Sequence, residues 1–89
     1  MSYRVFWAPH AEQQLDAILR DQAVQSRVAA AARHIDLSLA NNPASFGESR
    51  HDTVRIAVEL PLGVHFEVLE DVRTVIVYDV WRTDRRPRT

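Results

Sequence analysis

The sequence has no cysteine, no lysine and only two glycines in 89 residues. The lack of cysteine excludes a disulfide framework, a thiolate nucleophile, Cys-ligated zinc and iron–sulfur ligation. A short chain without disulfides fits a reducing compartment. The N-terminal stretch MSYRVFWAPHAEQQ carries no apolar signal core, so a cytoplasmic location is expected. No apolar run approaches the roughly 18 residues that a membrane span needs, and no membrane partner is expected. Gly47 and Gly63 are isolated and read as turn residues. No glycine-rich loop precedes a helix to cradle a nucleotide phosphate. The missing lysine leaves arginine as the sole permanent cation, a group that binds phosphate bidentately and cannot shed its proton.

What is present fits one small globular unit spanning 1–89. Hydrophobic residues make up 46% of the chain and charged residues 26%, ordinary values that exclude general disorder. The net charge of −1 argues against a uniformly basic nucleic-acid binder. Its distribution is uneven: residues 82–89 hold four arginines against one acid, or +3, and residues 1–81 hold seven against eleven, or −4. An acidic body therefore carries a basic tail.

The residue pattern predicts its elements in order. Tyr3–Trp7 is aromatic and β-branched, a short strand, and Pro9 suits the first position of a helix. Ala11, Leu15, Ile18 and Leu19 form one apolar stripe. Val24, Val28, Ala31, Ala32, Ile35 and Leu39 form another, closed by Asn41-Asn42-Pro43. The polar stretch 43–52 reads as a loop. The period then changes to two. Val54, Ile56, Val58 and Leu60 alternate with Arg55, Ala57 and Glu59; Pro61-Leu62-Gly63 turns the chain; Val64, Phe66 and Val68 follow; and Arg73–Trp81 makes the last strand. The expectation is an α+β fold in the order β-α-α-β-β-β, an antiparallel meander packed against an N-terminal helical hairpin.

Few residues offer chemistry. The four histidines, His10, His34, His51 and His65, are scattered without metal-ligand spacing, so neither a metal nor any other cofactor is expected. No serine sits in a nucleophile elbow. Arginine on a sheet remains. Arg55 alternates with the apolar set of its strand and should point away from the core, where His65 would share its face. Arg82, Arg85 and Arg86 follow at the end of the last strand. Such guanidiniums suit a phosphodiester, whose cleavage transition state gains negative charge, or an acidic protein partner. RNA cleavage without metal also needs a proton acceptor and a donor, for which His51, His65 and Tyr78 are candidates. Tyr78 shares the parity of Ile76 and Val80 and reads as core or sheet edge. Trp7 and Trp81 could stack on bases, but large aromatics at strand ends are more often core or partner contacts.

The order of these segments resembles the RelE/ParE superfamily of bacterial toxins. The resemblance rests on Ala11, Leu15 and Ile18 after the Ala-Pro entry, on Leu39, Asn42 and Pro43, and on the meander LGVHFEVLEDVRTVIVYDVWR ending at Arg82. It covers nearly the whole chain. It implies a toxin of a type II toxin–antitoxin (plasmid stabilisation) module, wrapped by a cognate antitoxin protein. RelE-like members are mRNA interferases that cleave mRNA on the ribosome without metal, and this is the activity expected here; the alternatives are a ParE-like inhibitor of DNA gyrase and a degenerate protein-binding module. Under the RelE-like reading the catalytic residues would be Arg55, His65, Arg82 and Arg85, with Arg50, Arg55, Arg82, Arg85, Arg86 and Arg88 contacting RNA. The sequence departs from the family in two places. Residues 62–66, where the family commonly carries an arginine, have none and offer His65 instead, and no tyrosine follows Arg82.

Overall fold

A computed structural model describes residues 2–84. Strand β1 (Arg4–Trp7) leads into helix α1 (Pro9–Leu19), with Pro9 in the first turn where its missing N–H costs nothing. The helix ends at Leu19, and beyond it the Asp21 carboxylate accepts the Ala23 amide in a tight turn. Helix α2 (Gln25–Asn41) follows and buries Val28, Ala31, Ile35 and Leu39, the predicted stripe. Pro43 stops it, since the residue before a proline is pushed out of the helical region.

The stretch 43–52, expected to be a loop, contains a single 3-10 turn at Pro43–Ser45 and a further strand, β2 (Glu48–His51). Its sequence ESRH has little intrinsic strand preference. Pairing with the next strand creates it, and Gly47, at φ 76°, opens it in a conformation that glycine adopts without strain. Strands β3 (Val54–Glu59), β4 (Leu62–Leu69) and β5 (Thr74–Arg82) complete an antiparallel meander. The β3–β4 turn is at Leu60-Pro61, one step earlier than predicted, so Leu62 and Gly63 already belong to β4. The sheet order is β1-β5-β4-β3-β2, with β1 parallel to β5.

The helical hairpin covers one face of this sheet. Between them lie Ala11, Val24, Val28, Ile35 and Leu39 from the helices and Ala57, Leu62, Val64, Phe66, Val68, Val75, Val77 and Val80 from the strands, with no buried polar residue among the described ones. Burial of each large aliphatic or aromatic side chain there contributes about 1.5–3 kcal/mol.

Two features decide which residues face out. The first reverses the expected orientation of β3. Ala57 is its buried residue, and it pairs with core residue Val64; Arg55 pairs with Phe66. Arg55, Ala57 and Glu59 therefore face the helices, and Val54, Ile56 and Val58 face the open side. The second is a bulge in β5. His65 pairs with Asp79 while Phe66 pairs with Val77, which leaves Tyr78 as the extra residue. The bulge shifts the alternation by one, so Val77 and Val80 both enter the core and Asp79 and Trp81 reach the open face. Tyr78, expected in the core or at an edge, is exposed.

Candidate functional site

The open face of the sheet collects the polar groups that could do chemistry. On β4, the odd-numbered residues Gly63, His65, Glu67 and Leu69 face away from the core. Their register partners on β5 include Trp81 beside Gly63, Asp79 beside His65 and Ile76 beside Glu67. Two hydrogen-bonded clusters result. In the first, Asp79 lies between two imidazoles, with Oδ2 3.2 Å from His65 Nδ1 and Oδ1 3.4 Å from His10 Nε2. In the second, Glu67 accepts hydrogen bonds from the Thr53 hydroxyl at 2.6 Å and from the Tyr78 hydroxyl at 2.7 Å. The His65 and Tyr78 rings stand 6.2 Å apart and link the two.

These contacts set protonation. The Thr53 and then the Tyr78 hydroxyl bonds stabilise the Glu67 carboxylate and lower its pKa. The same bond stabilises the neutral phenol, so the pKa of Tyr78 is raised. Both groups are fixed in their ordinary neutral-pH forms. The His65–Asp79 contact has another use: a carboxylate on one ring nitrogen orients the imidazole and leaves the second nitrogen for proton exchange. Around this centre the surface is apolar, with Phe6, Val58 and Tyr78 all exposed. Trp81 lies on Gly63, where a side-chain Cβ would come within 2.5 Å of the indole ring.

The expected arginine cluster is not brought together among the described residues. Arg55 is on the helix side; its Nε donates to the Phe46 carbonyl at 3.2 Å and its Nη2 to the Gly47 carbonyl at 2.8 Å, holding the turn before β2. The shared face with His65 is therefore corrected: alternation puts the two on opposite sides of the sheet. Arg82 also points inward, paired with Leu62 of the core. Its Nη1 meets Asp21 at 2.9 Å, while Nε and Nη2 form a fork onto Asp84 at 2.9 and 2.7 Å. The Asp84 and then the Asp21 bonds raise its pKa further. Only 13% of its side chain is exposed, so Arg82 fastens the end of β5 to the α1–α2 turn. Arg50 is exposed on the outer strand β2. Arg85, Arg86 and Arg88 lie outside the described residues.

Among the strand residues of β1, β3, β4 and β5 that face the open side, Arg4 at the β1 edge is the one arginine. The centre of that face carries the carboxylates of Glu67 and Asp79 and the imidazole of His65, with His10 of α1 reaching Asp79. The remaining candidates lie elsewhere. His51 is largely exposed at the β2–β3 turn, against Asp52. Trp7 faces the helices and donates its indole N–H to Asp36 at 2.7 Å. Asp79, Glu67, Thr53 and His10 were not singled out from the sequence. The bulge at Tyr78, which brings Asp79 beside His65, has no local sequence mark. No group of three or more His, Cys, Asp or Glu able to hold a metal ion occurs among the described residues. Within the same residues no helix is long and apolar enough to cross a membrane.

No family model matches the sequence, and a comparison with curated proteins finds no match. Solved structures do match the fold. A chain of the RelBE2 toxin–antitoxin complex from Mycobacterium tuberculosis superimposes with TM-score 0.72 and 17% identity, over 92% of this chain and 99% of that one. A chain of the chromosomal ParDE system from P. aeruginosa gives 0.66 and 18%, over 91% and 96%. A chain of the archaeal RelE–RelB complex from Pyrococcus horikoshii gives 0.64 and 14%, over 97% and 100%. The two helices and the five-stranded mixed sheet are thus the RelE/ParE-type toxin fold.

Proposed function

We propose that this chain is the toxin half of a type II toxin–antitoxin pair, held in the cytoplasm by a cognate antitoxin, and that it acts on a protein target rather than by cutting mRNA. The toxin assignment is supported by a fold match that spans nearly the full length of chains from three toxin–antitoxin complexes. The choice of target is carried by one observation: of the four residues expected to be catalytic, the two described arginines are already committed, while Arg50 stays exposed on the outer strand β2. Arg55 holds backbone carbonyls and Arg82 holds two carboxylates. The face where a substrate could lie presents Glu67 and Asp79, which repel phosphate. Its exposed Phe6, Val58 and Tyr78 are instead what a protein surface packs against. DNA gyrase, the target of ParE-like toxins, is the first to test.

One observation favours the nucleolytic alternative. His65, oriented by Asp79, has the geometry of a proton-transfer group. The test separates the two readings. Purified chain is added to a gyrase supercoiling assay and to a translating extract. The proposal expects loss of supercoiling with intact mRNA. Codon-internal mRNA cuts that disappear in His65→Ala would support the nucleolytic reading instead, and no effect in either assay, with no growth arrest on induction, would remove the toxin assignment.

A further inference from the structure

The helical side of the molecule has its own concave feature, away from the open sheet face. A groove of about 630 Å3 runs between α1 and α2, with Trp7, Leu15 and Ala32 among its lining residues. These three are partly buried and backed by the core, so they form a firm apolar floor. The bond from Trp7 to Asp36 fixes the indole, and Ala32 keeps α2 thin at this point. Glu12 and Asp16 of α1 and Asp36 of α2 supply three carboxylates around this floor, against the single guanidinium of Arg33.

Glu12 and Asp16 are four residues apart on exposed helix surface, a like-charge arrangement that disfavours the helix. Neither side chain has a hydrogen-bond or ion-pair partner among the described residues. An apolar floor with uncompensated negative charge around it is complementary to one kind of ligand. We infer that this groove receives a cationic amphipathic segment of a partner protein, an aliphatic side chain lying on Trp7 and lysine or arginine groups meeting Glu12 and Asp16. The inference rests on the reading that the chain has a dedicated protein partner, and it adds the charge of the segment that partner must present.

The test uses the full chain, isotope-labelled for NMR, titrated with a short amphipathic peptide of leucine and lysine and with its leucine–glutamate counterpart. The lysine peptide should saturably shift the Trp7 indole N–H and the amides of Glu12 and Asp16, and the glutamate peptide should not. The double variant Glu12→Gln/Asp16→Asn should weaken binding at least tenfold, while Glu48→Gln, an exposed acid on β2, should leave it unchanged. An equal loss in Glu48→Gln, shifts centred on the open sheet face, or no binding would overturn the inference. Growth arrest on induction reads the toxin assignment separately. Arrest without groove binding sinks this inference alone, and groove binding without arrest sinks the assignment alone.

Discussion

Replacing Gly63 by alanine tests the packing that shapes the open face. Gly63 is buried because the Trp81 ring lies on it. A Cβ added there would sit 2.5 Å from Cε2 and 2.6 Å from Cζ2 and Nε1 of that ring. Non-bonded carbons settle near about 3.5–4.0 Å, so the ring must retreat by about 1 Å or rotate away. Overpacking of this kind costs about 1–3 kcal/mol, and the partial exposure of Trp81 at a strand end favours the lower half. For a domain of this size, about 1–2 kcal/mol lowers Tm by about 5–15 °C. Urea unfolding followed by far-UV circular dichroism measures the cost. The double variant Gly63→Ala/Trp81→Ala removes the clash and should be more stable than the sum of the single effects implies, by about 1 kcal/mol. A Gly63→Ala protein as stable as the parent, or strictly additive single effects, would refute the placement of Trp81.

Other substitutions probe the core, the β5 latch and the Glu67 cluster. Phe66 is fully buried against the tilted ring of Phe46; Phe66→Ala should cost about 3–5 kcal/mol and leave much of the protein unfolded at 37 °C by circular dichroism. Arg82→Ala should lower the urea midpoint, and Asp21→Asn should add less to that loss than it costs alone, because both remove one latch; an Arg82→Ala protein of parental stability would contradict the structural role given to this residue. Glu67 has a pKa lowered from the ordinary 4.5, so its contribution to stability is present above that pH and is lost as pH falls through the depressed native value. In a series of urea melts below about pH 4.5, Glu67→Gln should therefore lose less stability than the parent.

The helical half of the fold is legible in the sequence because both helices obey one rule. Val28, Ala31, Ile35 and Leu39 recur at helical spacing, face one core and are buried. The sheet is harder to read because its open face is itself apolar. On β3, the larger residues Val54, Ile56 and Val58 lie on the open side, and the small Ala57 occupies the core position beneath Val64. Hydrophobic alternation identifies the strand correctly and its buried side wrongly. That inversion moved Arg55 to the helix side, away from His65. The bulge at Tyr78 adds a second change of phase that no local residue signals, and it creates the His65–Asp79 contact. Strand β2 was missed for another reason: its residues have no strand preference, and a long-range partner makes it one. The surplus of acids in residues 1–81 is visible in composition, but their convergence around the groove between α1 and α2 appears only when the hairpin closes.

The proposal that this chain acts without cutting RNA stands on Arg55 and Arg82, which are tied into the fold rather than offered to a phosphodiester. Transcriptome-wide mapping of mRNA 5′ ends within minutes of inducing the intact chain tests this most directly. Growth arrest with no new codon-internal ends is the expected result. An accumulation of such ends in translated regions, abolished by His65→Ala in a protein of unchanged stability, would contradict it.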